Sequence, residues 1–373
     1  MADVNGEDRG QKTDDLSGKE RRLKTGTVLM QGQGLGNRLF SYVSARCMAE
    51  DSGEDFFISG AAYLPDFLPG LKEPPVVLLE EDCSDHRTGD CNPVFYHEKE
   101  ERIYIKDCVH DMVHGCFTAG ADPDILNARE KTGAGDRPLA ITGNLQAEGY
   151  FSAHREEIKQ WLKIPEEYDN KSLSAENICI LNLRCGEYVQ ENALYLRRSY
   201  WLKAMRYMRN IRADMDFHIV TDDPKEAAKL LPGIPVHHGE VSDDYTMIRN
   251  ARYLIVSNSS FAFFPAYTSD KLVKAVAPMY WARHNTSDGF WASEQNIYSI
   301  FSYMDRRGDL YTPEECRHML SLYREKAGEK LSGKTPFDSG SIAVRVRKTA
   351  DRMGYLSRRG ASKIMRAFTR KTT

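Results

Sequence analysis

Long apolar runs are missing from this chain: no stretch of about 18 hydrophobic residues occurs, so no transmembrane helix is expected. The first residues are acidic, and no apolar segment of a secretory signal follows them. Cysteine is sparse, with eight in 373 residues, which does not suggest a disulfide scaffold. A reducing cytoplasm is therefore the expected setting. Charge of one sign is also lacking: 51 Lys and Arg against 54 Asp and Glu leave a formal net charge of −3. The molecule as a whole is thus no polycation, and nucleic acid is not an expected partner. No internal repeat and no long low-complexity tract is found.

What is present reads as an α/β protein in two parts. Residues 1–24 are polar without a core pattern and are expected to be disordered. Residues 25–165 open as strand (Thr25–Met30), glycine loop, helix (Arg38–Glu50) and strand ("DFFIS"), with an irregular stretch at 60–137. Residues 176–335 alternate more clearly, from the apolar strand "ICILNLR" through "SYWLKAMRYMRNI", with Ser199 as helix N-cap, to "LVKAVAPM". Strands separated by helices imply parallel sheets, which bind ligands at their carboxyl ends. Residues 336–373 form a basic tail.

The candidate chemistry falls at those strand ends. In "GQGLGN", Gly32, Gly34 and Gly36 precede Asn37, expected at the N-cap, where free N–H groups face an anion. The spacing is neither the dinucleotide fingerprint nor a P-loop, so the loop also reads as a tight strand-to-helix turn. Arg184 directly follows an apolar strand. Its forked donors suit a diphosphate, and a surface ion pair with Glu187 is the plainer role. "IVTDD" places Asp222 and Asp223 at the next end; one caps the following helix and the other accepts from a ribose or base. "IVSNSSF" places Asn258, Ser259 and Ser260 at a third, suited to phosphate oxygens or to plain capping. Cys108, His110, His114 and Cys116 lie in "CVHDMVHGC" but match no finger spacing. They are read as strand and turn rather than as a metal site.

Several of these stretches occur together in one known family. "GQGLGNRLFSYVSARCMAE", "NLQAEGYF", "LNLRCGEYV", "FHIVTDDPKEA" and "DDYTMIRNARYLIVSNSSFAFFPAY" resemble, in order over about residues 26–290, the motifs of glycosyltransferase family 11, the α-1,2-fucosyltransferases. The chain departs from that pattern at Asn182 (His in the family), Cys185 (Arg), Glu187 (Asp), Phe263 and Phe264 (Trp), and Pro265 (Gly). The resemblance implies a GT-B-like fold of two Rossmann-type domains facing a cleft. It also implies inverting transfer of fucose from GDP-fucose to a hydroxyl of a glycan acceptor, in α-1,2 linkage, in surface polysaccharide or O-antigen synthesis.

On that reading Arg184 stabilises the charge growing on the leaving diphosphate and Glu187 is the candidate base. Gly34, Gly36, Asn37, Asn182, Asp222, Asp223, Asp244, Asn258, Ser259, Ser260 and Phe261 make up the donor site. No metal or other cofactor is expected. A degenerate nucleotide-sugar or glycan binder is the alternative, followed by a Rossmann oxidoreductase. The tail, with Met353, Leu356, Ile364, Met365 and Phe368 among basic residues, carries two readings. It lies on the anionic inner membrane surface, bringing the enzyme to a lipid-linked acceptor, or it is a solvated or docked terminal helix.

Overall fold

The computed structural model describes residues 23–79, 92–99, 121–191, 194–281, 284–285, 291 and 294–331. The Cys/His stretch around 108–116 and the basic tail lie outside the described residues.

Two sheets organise the chain. The first has the order β3-β2-β1-β5-β4 and is wholly parallel, built from β1 (Lys24–Val28), β2 (Asp55–Ser59), β3 (Val77–Leu79), β4 (Val94–His97) and β5 (Leu139–Thr142). The second has the order β12-β11-β10-β9-β6-β7-β8. Its strands are β6 (Ile178–Leu183), β7 (Asp216–Thr221), β8 (Val236–His237), β9 (Tyr253–Val256), β10 (Lys274–Pro278), β11 (Ser302–Met304) and β12 (Leu310–Tyr311). Only the β11–β12 pair is antiparallel among the described strands. Helices join the strands: α1 (Leu35–Asp51), α2 (Ala128–Thr132), α3 (Arg155–Trp161), α4 (Arg198–Ile211), α5 (Pro224–Leu230), α6 (Val241–Asn250), α7 (Phe263–Tyr267) and α8 (Pro313–Leu331). This is the expected α/β, GT-B-like arrangement of two sheets, parallel except at the β12 edge.

Central parallel strands are covered on both faces, so their sequences run apolar without alternation. All six residues of β6, Ile-Cys-Ile-Leu-Asn-Leu, are buried. Where the two halves meet, an aromatic cluster replaces aliphatic packing. Phe40 of α1 stacks on Phe263 at 4.9 Å, lies 4.8 Å from Phe264 and 6.0 Å from Phe151, while Phe263 sits 4.2 Å from Tyr298. Each fully buried ring of this kind contributes roughly 1.5–3 kcal/mol by area, with a further increment from ring geometry. The pair Phe263–Phe264 is therefore part of the joint between the halves.

Several boundaries differ from the expected ones. β1 begins at Lys24 and ends at Val28, because Met30 is 58% exposed in the turn beyond it. α1 starts at Leu35 with Gly34 as its N-cap, so Asn37 lies inside the first turn. α4 starts at Arg198 behind an extended Arg197, which puts Ser199 inside the helix rather than at its cap. The irregular 60–137 stretch contains the two edge strands β3 and β4, of three and four residues, too short to show a period.

Candidate active site at the carboxyl ends of the strands

β6 is the first strand of the second sheet. The chain moves to one side of it for β7 and β8, then returns to the other side for β9 and β10. The reversal opens a crevice beyond the carboxyl ends of β6 and β9, where open α/β sheets hold their ligands. Asn182 and Arg184 reach it from β6, Thr221 and Asp222 from β7, and residues 257–260 from β9. The carboxyl end of β1 faces it with the glycine turn and the start of α1.

Arg184 is held from two sides. Its guanidinium pairs with Asp222 at 2.7 Å and with Glu187 at 3.3 Å, and it lies 5.7 Å above the Tyr188 ring. The Leu183–Thr221 pairing of β6 and β7 sets Arg184 beside Asp222, whose other oxygen accepts from the Cys185 N–H at 2.8 Å. Gly186 is needed for this fit: a Cβ there would lie 2.5 Å from the same carboxylate. The Arg184 side chain stays 36% exposed, so the guanidinium is oriented while part of it remains open to the crevice. Glu187, 76% exposed on a 3₁₀ turn, has the ion-pair role. Asp223 is the N-cap of α5, accepting from the Glu226 N–H at 3.0 Å ahead of Pro224 at the first helical position, the favoured order.

Beside Arg184 the crevice floor holds polar groups with nothing to bond. The Asn182 Oδ1, the Ser257 Oγ and both side-chain atoms of Asn258 are buried without a hydrogen-bond partner. Asn182 is 6% exposed, Ser257 1% and Asn258 3%. The Ser257 N–H donates to the Asn182 carbonyl at 3.1 Å, so the three residues are contiguous across two adjacent strand ends. Leaving such groups unpaired costs about 1–3 kcal/mol each, and four such atoms are gathered here at two adjacent strand ends.

The glycine turn contributes contact between the halves. Gly32 takes φ +86°, a left-handed conformation that favours glycine. Gly34 has φ −65° and open space around it. Gly36 is in contact with the other half: a Cβ on it would sit 2.4 Å from the Ser260 carbonyl carbon. One residue on, the Asn37 Oδ1 accepts from the Ser260 Oγ at 2.7 Å and from the Gln146 Nε2 at 3.1 Å, and the Gln146 Oε1 accepts from the Asn296 Nδ2 at 3.0 Å. Four residues from distant parts of the chain thus close one side of the crevice. Ser259 caps the 3₁₀ turn at Ser260–Ala262, its Oγ accepting from the Phe261 N–H at 3.4 Å, and Phe261 packs against Tyr245 at 6.2 Å.

At the β7 side, Asp244 of α6 accepts from the Gly239 N–H at 3.2 Å and lies 3.8 Å from His238, whose Nδ1 is 2.9 Å from the Thr221 carbonyl. Burial pushes the Asp244 carboxyl up to about 6, opposed by the Gly239 N–H and His238. Among the candidates, then, Asn182, Arg184, Asp222, Asn258 and Ser260 converge on the crevice, with Gly36 and Asn37 facing them. Asp223, Ser259 and Phe261 hold local structure. Gln146, Ser257 and Asn296 join the site without having been expected there. Gln146 stands within the "NLQAEGYF" stretch, which offers a signal, whereas Asn296 has none.

Among the described residues no group of three or more His, Cys, Asp or Glu is placed to hold a metal ion. Two Asp-x-Asp spacings do occur. Asp122 and Asp124 accept from Tyr96, Lys99 and Lys131, while Asp214 pairs with Arg212 and Asp216 with His218. No helix among the described residues is long and apolar enough to cross a membrane.

The fold is that of a two-sheet α/β protein with a crevice where the strand order of the second sheet reverses. No family model matches the chain. Over 171 residues it is 26% identical to an α-1,2-colitosyltransferase of Escherichia coli, a match spanning 41% of this chain and 59% of that protein's length. Among solved structures it is similar to POFUT1 in complex with GDP-fucose, with TM-score 0.42, 9% identity, and 69% of this chain and 98% of that one covered. It is also similar to a family 9 glycosyl transferase from Veillonella parvula, with TM-score 0.38, 9% identity, and 84% and 97% covered. Likenesses this distant assign no role to any residue.

Proposed function

We propose that the chain is an inverting glycosyltransferase that takes a GDP-linked sugar into the switch-point crevice and passes the sugar to a hydroxyl of a glycan. The carrying observation is the set of buried, unpartnered atoms of Asn182, Ser257 and Asn258 beside a pre-oriented Arg184. A ligand rich in hydrogen-bonding oxygens satisfies them, and the similarity to a sugar transferase supports a nucleotide sugar as that ligand.

The acceptor oxygen attacks C1 of the donor sugar, the C1–O bond to the diphosphate breaks, and GDP leaves with the bond electrons. Negative charge grows on the leaving oxygen, and Arg184, fixed by Asp222, meets it without having to reorganise. The acceptor proton passes to a carboxylate or to water; Glu187 is the proposed carboxylate. Arg184 meets the leaving charge without a metal ion in this reading. Fucose as the sugar, the α-1,2 linkage and a lipid-linked acceptor at a membrane surface are the finer parts of the same proposal.

The test is a donor screen. Purified protein is incubated with GDP-fucose, an activated colitose, GDP-mannose, UDP-glucose and NAD, with nucleotide release and thermal shift as readouts. GDP and one GDP-sugar should stabilise the protein, and that sugar should be hydrolysed slowly without acceptor. Stabilisation by NAD alone would overturn the proposal in favour of an oxidoreductase. GDP binding with no turnover of any donor would leave the degenerate binder.

A further inference from the structure

A second cleft, of about 580 Å³, is lined by the chain neighbours of Gln146 and Asn296, two members of the Asn37–Gln146–Asn296 bridge. Its walls come from both halves of the chain. Ala147, Glu148 and Ser152 follow β5, and Ile297, Ser299 and Arg317 come from the segment before β11 and the first turns of α8. Ala147 and Ile297 directly follow Gln146 and Asn296, so the cleft lies next in the chain to the bridge that closes one side of the crevice.

Glu148 is the centre of this cleft. Its carboxylate is 9% exposed and accepts from the Ser299 N–H at 2.7 Å and from the Ser299 hydroxyl, with Arg317 at 3.8 Å. Each carboxylate oxygen keeps acceptor capacity beyond the bond it makes to Ser299. Arg317, 37% exposed, donates one long bond to the Ile297 carbonyl at 3.4 Å and has further N–H groups. The walls therefore mix acceptors, donors and a little apolar surface.

That mixture selects a ligand by exclusion. A phosphate or carboxylate ligand would meet the carboxylates of Glu148 and Glu294, which also lines the cleft, and a cation would meet the Arg317 guanidinium. Neutral vicinal hydroxyls fit both, because each hydroxyl donates to a carboxylate and accepts from a guanidinium. Ala121 and Pro123, both exposed on the cleft wall, supply the apolar patch that the C–H face of a sugar ring covers.

We propose that this cleft binds the neutral, polyhydroxylated acceptor glycan, with Glu148 and Arg317 as its polar contacts, and delivers the glycan's end past the amide bridge to the donor crevice. The inference rests on the transferase reading above, and its test separates the two. Ser152 is exposed on the cleft wall and takes part in none of the proposed chemistry. The variants S152W, which fills the cleft, and R317A, which removes its donors, are compared with wild type on an immobilised glycan library. Thermal shift with GDP and the melting midpoint are measured in parallel.

Wild type should retain at least one glycan, and both variants should lose that signal by tenfold or more while keeping the GDP shift and a normal midpoint. If wild type binds no glycan of the library, or either folded variant keeps its signal, the cleft is not the glycan site. Loss of glycan and GDP binding together would likewise overturn a separate cleft. Glycan binding lost in the variants, with no GDP shift even in wild type, would keep the cleft and remove the transferase reading.

Discussion

Substituting Gly36 by alanine probes how the two halves are joined. The added Cβ would lie 2.4 Å from the Ser260 carbonyl carbon and 2.5 Å from its oxygen. These are backbone atoms of the other half and cannot rotate away. Ordinary contact begins near 3.4 Å, so α1 and the Ser260 turn must part by about 1 Å. The Ser260 hydroxyl, now 2.7 Å from the Asn37 Oδ1, would move out of hydrogen-bonding range. Overpacking costs about 1–3 kcal/mol and the lost bond about 1 kcal/mol, so about 2–4 kcal/mol in all.

Gly34→Ala is the internal control. Gly34 has an ordinary φ of −65°, and nothing lies within 4 Å of the place an alanine methyl group would take. The gain from a less flexible unfolded chain, about 0.4–1 kcal/mol, offsets the poorer capping of alanine, leaving a change within about 0.5 kcal/mol. Urea unfolding of both variants reads the difference directly. Gly36→Ala should also slow sugar transfer while GDP affinity stays within about twofold, since the proposed nucleotide contacts belong to the second sheet. Equal unfolding midpoints for the two variants would refute the close approach, and parallel loss of GDP affinity would refute the division of roles.

Arg184→Lys keeps the charge but removes the fork, and should weaken GDP binding by tenfold or more, about 1.4 kcal/mol, in calorimetric titration with an unchanged melting midpoint. Asn258→Leu removes two buried, unpartnered polar atoms and should raise the unliganded protein's stability by about 1 kcal/mol or more while abolishing its stabilisation by GDP; a destabilised variant that still binds GDP contradicts the crevice. Asp244 carries a folded-state value of about 6 against 3.8 unfolded, so the folded state holds the extra proton and stability falls as pH rises through that window. Asp244→Asn should therefore stabilise the protein at pH 8, by about 1–3 kcal/mol, with the gain fading towards pH 4 in urea titrations. Asp223→Ala removes the α5 cap and should cost about 1 kcal/mol by the same measurement at neutral pH.

The class of fold is legible in the sequence because its main signals are local. The unbroken apolar run of β6 announces a strand covered on both faces, and the Asp223–Pro224 pair announces a helix start. Polar residues placed just past such runs must lie at strand ends, which is how Arg184, Asp222 and Asn258 enter the candidate site. The short edge strands β3 and β4 stay hidden because three or four residues carry no period. The start of α1 is expected too late because Asn37 looks the better cap, whereas the extended residue before the helix is Gly34.

Pairing across the fold is not legible, and it is what changes the meaning of individual residues. Asp222 beside Arg184 follows from the β6–β7 register, which a reader of the sequence cannot fix without knowing that these strands are neighbours. Gly36 and Asn37 show the same limit more sharply. A glycine before a helix suits a phosphate and suits a close-packed neighbour equally well, since both require the absence of a side chain. The neighbour proves to be Ser260, bonded to Asn37 across 223 residues of sequence. The loop that looks most like a nucleotide cradle thus joins the halves. The groups left without a partner at the strand ends are the Asn182 Oδ1, the Ser257 Oγ and the Asn258 amide, which becomes visible only once the hydrogen bonds of the folded chain are traced.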